Sequence, residues 1–307
     1  MKHGMVLLAV MAMACSQTQS AATNSITPSP STCRLPIAIP DSSGHMQGAF
    51  VDYVSGRMTV DPGGVGGAYY DRAYSRWLPV NQNAVSSDGS RFVYLDPKVP
   101  GTSARQQLHL VDLPTGSEKL YELAPTGDPA GYVVVSVATE GIWLSFSGYE
   151  GPRGGLFLLD LTTGQLKNVG GQRMIFDPVA GGPGIFWFTE PGPNPTMSGI
   201  GFYMPDRVKR FTIVDGKAED WFIKDGSYLT VLGTDLAGHP ILTDSTEVWL
   251  ASSPDASTVI AVPPGYYNAF TDEHGIWLGG DQGIYLYAAT GVQKVSDQKG
   301  APAGTCA

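Results

Sequence analysis

Two stretches decide the fold: Glu140-Gly-Ile-Trp-Leu144 and, shortly after it, Leu159-Asp-Leu-Thr-Thr-Gly164-Gln-Leu-Lys-Asn-Val169. The first reads as a buried strand entered through a tight turn. The second reads as a hairpin: an apolar strand ending in Asp, a Thr-Gly turn, then another strand. Glycine supplies the positive φ that such a turn needs. Both recur. The strand returns as Gly184-Ile-Phe-Trp-Phe188 and as His274-Gly-Ile-Trp-Leu278. The hairpin is matched at Phe50-Val-Asp-Tyr-Val-Ser-Gly56 and Leu110-Val-Asp-Leu-Pro-Thr-Gly116. Looser copies are Phe211-Thr-Ile-Val-Asp-Gly216, Trp249-Leu-Ala-Ser-Ser-Pro-Asp-Ala256 and Leu286-Tyr-Ala-Ala-Thr-Gly291.

From position 56 to position 291 the turns recur in five steps, a mean period of about 47 residues, within the range of propeller blades. The Gly-Ile-Trp strand precedes the hairpin in phase, which is the strand order of a four-stranded blade. Tyr132-Val-Val-Val-Ser-Val137 and Tyr228-Leu-Thr-Val-Leu232 add short β-branched strands bounded by turn residues. No amphipathic helix stands out after Cys33. The sequence therefore predicts an all-β chain, a β-propeller of six four-stranded blades over residues 34–307, whose radial repetition protects the sheet edges. Five or seven blades stay open, because residues 61–80 do not fit the period.

At Ala84-Val-Ser-Ser-Asp-Gly-Ser-Arg-Phe-Val-Tyr-Leu95 the sequence resembles the Ser-Pro-Asp-Gly-x-x-Ile-Ala-Phe element of TolB-type propeller repeats, with Ser87 in place of Pro. That resemblance implies a fold and no function, since propellers host many unrelated activities. Ile185-Phe-Trp-Phe-Thr-Glu190 resembles the Trp-Phe-Thr-Glu repeat of streptogramin-lyase-like propellers. That family repeats the motif blade after blade, whereas here it occurs once. The family's catalytic His and metal-binding Glu residues have no matching positions, so strand packing is the reading the residues favour.

Composition narrows the class. The 307 residues are 42% hydrophobic and only 15% charged, enough apolar content for a packed core and too little charge for a disordered chain. Gly 39 and Pro 23 suit many turns between short strands. A net charge of −9 argues against nucleic-acid binding, which needs a basic surface.

Lys2 and His3 precede an apolar run from Met5 to Ala14, then Cys15. The run is too short to span a bilayer comfortably and reads as an export signal over residues 1–14. It resembles a bacterial lipoprotein signal, although Ala12 stands where that signal favours a larger aliphatic residue. The resemblance implies lipidation of Cys15, and residues 15–33, rich in Ser, Thr and Pro, read as a tether. Ordinary cleavage near Ala14 with full release is the alternative. With Cys15 set aside, Cys33 and Cys306 form an even pair at the two ends of the fold, expected to be disulfide-bonded in an oxidising compartment. Two free thiols on frayed ends are the other possibility.

No catalytic constellation is evident. His45, His109, His239 and His274 lack metal-ligand spacing, and there is neither a Gly-x-Ser-x-Gly elbow nor a phosphate loop. Asp272-Glu-His274 aligns with the turn before the sister Gly-Ile-Trp strand and reads as a solvated turn. No metal and no cofactor are called for. The candidate ligand-binding residues are Tyr69, Tyr70, Arg72, Tyr74 and Arg76, which break the blade period, and Phe202 and Tyr203 in a second insertion. Aromatic and arginine side chains dominate binding hot spots, and insertions into a repeat tend to share one face. Core filling is the alternative for the tyrosines and for Trp77. Two functions follow. One is a monomeric, non-catalytic binding or scaffold propeller of the cell envelope for a protein, peptide or glycan, touching membrane only through a lipid anchor. The other is a secreted propeller lyase or hydrolase needing a metal, for which Glu140, Glu190, His239 and His274 would have to converge.

Overall fold

The computed structural model describes residues 33–97, 105–125, 131–146, 155–171, 173–193 and 203–306. The recurrent hairpins close by one local device. The Asp52 carboxylate accepts the Ser55 N–H at 2.7 Å and the Ser55 hydroxyl at 2.7 Å, while Gly56 N–H reaches the Asp52 carbonyl at 2.8 Å. Asp112 does the same with Thr115, closed by Gly116, and Asp160 with Thr162 and Thr163, closed by Gly164. Each closing glycine has φ near +70°, where a β-carbon is strained. These hydroxyl and amide bonds hold all three carboxyls below the usual carboxylate range.

Chain order gives the sheets. β1 (Arg34–Pro40), β2 (Met46–Asp52) and β3 (Met58–Val65) come first, then a small hairpin of β4 (Tyr69–Asp71) and β5 (Arg76–Leu78). The second sheet holds β6 (Arg91–Leu95), β7 (Gln107–Asp112) and β8 (Glu118–Glu122). The third runs β9 (Val133–Ala138), β10 (Gly141–Phe146), β11 (Gly155–Leu159) and β12 (Leu166–Asn168). The fourth runs β13 (Phe176–Gly182), β14 (Ile185–Glu190), β15 (Arg207–Thr212) and β16 (Lys217–Ile223). The fifth runs β17 (Thr230–Thr234), β18 (Pro240–Thr243), β19 (Val248–Ser253) and β20 (Ala256–Ile260). The sixth runs β21 (Tyr267–Asp272), β22 (Gly275–Gly280), β23 (Gly283–Ala288) and β24 (Gly291–Ser296). Finally β25 (Ala301–Pro302) returns to pair with β1 as the fourth strand of the first sheet.

The strands within each blade pair antiparallel, each with its chain neighbour except β25 with β1, and the first strands β9, β13, β17 and β21 lie beside one another, with β25 beside β21. That is a six-bladed β-propeller, as the repeat predicts. The second blade departs in detail. Its inner position is filled by a 3-10 turn (Gln82–Ala84) and by Val85, bridged to Phe92, with Ser86 bridged to Val137 of the third blade. Residues 61–80 fail to fit the period because they hold the end of β3 and the β4–β5 hairpin, an insertion between the first two blades.

The core lies between blades. Trp143 packs on Phe186 of the next blade at 4.7 Å, and Trp277 is buried among Leu35, Ile37 and Ile284 where the last blade meets the first. Aligning Gly-Ile-Trp in the fourth blade pairs Phe186 with Trp143. The structure instead gives Trp187 the forward-facing role, against Val231 and Leu242, while Phe186 and Phe188 face back towards Trp143. Two register shifts between β13 and β14 accompany this change of phase.

Ring closure is double. β25 pairs with β1, and Cys33 is disulfide-bonded to Cys306, 273 residues away, with Cα atoms 5.4 Å apart. The Cys306 N–H also donates to the Asp272 carboxylate of the sixth blade at 3.0 Å. The disulfide and the Asp-closed hairpins share one face of the disc. The connections between blades, and those between second and third strands, share the other.

Candidate functional site

A cavity of about 600 Å³ opens on that second face, where the inner strands of blades two to five begin. Its residues come from short connecting segments, strand starts and strand ends: Asn81 and Asn83 before and within the 3-10 turn, Tyr132 ahead of β9 and Phe146 at the end of β10, Phe176 and Asp177 at the start of β13, Tyr228 before β17. Tyr132 is buried and meets Phe146 edge-on at 5.4 Å, and burial pushes its phenol up. Its N–H is fixed by the buried Gln106 side chain at 2.8 Å. Asn83 donates to the Val134 carbonyl, which uses part of its capacity in holding the wall together. Apolar and aromatic walls alternate with polar groups from Asn81, Asn83, Asp177 and the tyrosines, a mixture that can both enclose and orient a small ligand.

Asp177 enters through a bulge. Phe176 opposes Thr189 and Val179 opposes Trp187, so β13 carries one extra residue at Asp177-Pro178. Asp177 adopts φ +46°, a left-handed backbone uncommon for a residue with a side chain. Water reaches its surface, yet the cavity walls crowd it. Burial therefore pushes its carboxyl up, against a hydrogen bond with Thr230 that pulls it down.

One wall is backed by a charged stack. The Tyr94 ring lies parallel to His109 at 4.3 Å, and the Tyr94 hydroxyl and His109 Nδ1 both reach Glu118 Oε1, the hydroxyl at 2.7 Å. His109 Nε2 faces Asp96 at 3.2 Å. Burial lowers the His109 pKa, but the Glu118 and Asp96 contacts outweigh it and raise the net value. The folded state thus prefers the imidazolium. Its stabilising contribution is complete below the ordinary value of 6.5 and is lost as pH rises through the raised one. Glu118 is held down by its bonds from Tyr94 and His109, so its contribution is lost as pH falls. In thermal melts, the gap between wild type and His109→Gln should be widest at about pH 5–6 and shrink towards pH 9. A gap that does not change with pH would exclude the charged pairing.

The residues singled out from the sequence fall elsewhere. Tyr69, Tyr70, Arg72, Tyr74 and Arg76 sit on the β4–β5 hairpin, and none of them lines the cavity. Tyr69 stacks on Phe270, and Tyr70 meets Phe50 at 5.0 Å and Trp77 at 5.2 Å. Trp77 is buried and donates to Asp61 at 3.1 Å. Arg72 donates to the Cys306 carbonyl at 3.1 Å, while Tyr74 and Arg76 are exposed. Tyr203 is exposed in the connection before β15; Phe202 and Cys15 lie outside the described residues.

The four groups that a metal-dependent lyase would gather are each held locally on a different blade. Glu140 accepts from Trp143 at 3.0 Å, Glu190 pairs with Lys209 at 3.1 Å, His239 with Asp235 at 3.0 Å, and His274 with Asp272 at 3.3 Å. Asp272, Glu273 and His274 do lie close enough to share an ion. The turn is not the solvated one expected: the Asp272 side chain is buried, accepting the N–H groups of His274 and Cys306. The cavity residues escaped sequence reading because they lie as far apart as positions 80 and 228; the Asp-Pro pair interrupting an apolar strand was the one local signal.

No family model matches the sequence, and no curated protein matches it. Among solved structures the chain is similar to an oligogalacturonate lyase in complex with manganese, at 14% identity over 87% of this chain and 74% of that one, with a TM-score of 0.47. It is also similar to the β-propeller domain of the trilobed protease from Pyrococcus furiosus, at 9% identity over 86% and 79%, TM-score 0.45. A third is the acylaminoacyl peptidase of Pyrococcus horikoshii, at 10% identity, TM-score 0.45; 87% of this chain spans 44% of that one. Six radial sheets, closed by β25 against β1, make the chain a β-propeller on its own sheet order.

Proposed function

We propose that this chain is a non-catalytic binding propeller of the cell envelope, taking part of a protein, peptide or glycan ligand into the cavity at the mouth of blades two to five. The observation that carries the reading is that cavity: about 600 Å³, aromatic-walled, and lined by strand ends, strand starts and the segments that precede them in blades two to five. Strand-borne walls are pre-organised, which reduces the ordering cost of binding. The enzymatic alternative is less supported, because Glu140, Glu190, His239 and His274 are each engaged in separate local pairs. The envelope location draws on the Met5–Ala14 apolar run ahead of Cys15 and on the disulfide, a bond of oxidising compartments. Among the described residues no helix is long and apolar enough to cross a membrane.

Peptide and glycan arrays probed with wild type and with Asn81→Ala and Tyr228→Ser variants test the reading. Both positions are exposed, so the fold should survive. Ligands retained by wild type should lose tenfold or more in affinity, a loss of about 1.4 kcal/mol or more. Equal retention by the variants would move the site elsewhere, and consumption of the ligand by purified protein would restore the enzyme.

A further inference from the structure

We propose that the cavity recognises a primary ammonium on an alkyl stem, the lysine side chain of a peptide or protein, with Asp177 as its counter-charge. This rests on the cavity being the binding site. Three observations converge. Asp177 is the one charged side chain among the described residues lining the cavity, and no described Lys, Arg or His forms an ion pair with it. A carboxylate that lines a cavity, is open to solvent and has no ion pair with a described cation is complementary to a ligand that brings one.

The backbone is shaped around that carboxylate. Asp177 is held at φ +46° in a bulge of the innermost strand, followed by Pro178. Bulges re-aim side chains, and uncommon backbone conformations of this kind cluster at ligand sites. An unbulged β13 would have continued the two-residue alternation across this point.

The walls decide what carries the ammonium. Val93, Val134, Ile175, Phe146 and Phe176 offer apolar surface to a methylene stem, and aromatic rings nearby favour a cation. A sugar would bring a hydroxyl on nearly every carbon. Two of the polar side chains that would meet those hydroxyls are committed or covered, since Ser145 is buried and Asn83 donates to the Val134 carbonyl, while Asn81 is exposed.

The experiment titrates the purified protein, disulfide intact, with N-α-acetyl-lysine methylamide and with its neutral N-ε-acetylated counterpart, following backbone amide resonances. The charged probe should shift resonances around Tyr132, Asp177 and Tyr228 and bind about ten- to a hundredfold more tightly, the range of a hydrogen bond to a charged group. Asp177→Asn should abolish the difference between probes. Equal binding of both probes would overturn the ammonium while leaving the cavity as a binding site. Binding of neither would overturn it too, and the array experiment with the Asn81 and Tyr228 variants then judges the cavity separately. Tighter binding of glucosamine than of the lysine probe would overturn the alkyl stem. If Asp177→Asn does not fold, the comparison of the two probes on wild type decides alone.

Discussion

Cys306→Ser is expected to lower the melting temperature by about 5–15 °C, because it removes the covalent half of the ring closure. The Cys33–Cys306 bridge spans 273 residues, nearly the whole propeller. In the chain-entropy model a loop that long contributes up to about 5 kcal/mol by restricting the unfolded chain, and removal of a native disulfide costs about 2–5 kcal/mol in practice. The non-covalent closure is slight: two residues of β25 pair with Ile37 and Ala38 of β1. Cys306 also anchors its neighbours, since its N–H bonds Asp272 and its carbonyl accepts from Arg72. Losing the bridge should therefore loosen the first and last blades before the others, visible as faster amide exchange in β1 and β25. Intact mass before and after reduction and alkylation checks the bond itself, and for membrane-extracted protein it reports whether Cys15 carries acyl chains. Free alkylation without reduction, or an unchanged melt in Cys306→Ser, would contradict the closure.

Trp277→Ala should cost about 3–5 kcal/mol, because it empties a fully buried indole site at the seam between the sixth and first blades. Trp277→Phe tests the physics more finely. The Trp277 indole N–H is buried with no hydrogen-bond partner among the described residues, whereas that of Trp143 donates to Glu140 at 3.0 Å. A buried unpaired donor costs about 1–3 kcal/mol, so removing it offsets part of the lost packing. Urea titrations should rank Trp143→Phe as more destabilising than Trp277→Phe. The reverse order would mean that Trp277 gains a partner in solution.

The cavity was out of reach of the sequence for a reason tied to its residues. Asn81, Tyr132, Asp177 and Tyr228 are brought together only when the inner segments of four blades converge. No spacing rule links residues that separate blades supply. The insertion of aromatics at Tyr69, Tyr70 and Tyr74 was legible as an interruption, but not its destination. The hairpin packs Tyr69 beside Phe270 of the seam between the sixth and first blades, and Tyr70 with Phe50 and Trp77 in a separate cluster on the other face of the first blade. Asp272 looked solvated because its sister turn is polar, yet the returning C-terminus covers it.

By itself the sequence determined the blade repeat and its hairpins and favoured six blades and a bond between the terminal cysteines, while the structure removed the five- and seven-blade and free-thiol alternatives. What the sequence carried depends on chemistry within a few residues: an Asp carboxylate capping the turn that follows it, a glycine with positive φ closing it, two cysteines left at the ends of one ring. Tertiary structure alone decided that Trp187, not Phe186, takes the forward-facing position, that β13 bulges at Asp177, and which strand starts enclose the cavity. Strand register and strand convergence depend on contacts between residues distant in the chain, and a local repeat carries no record of them.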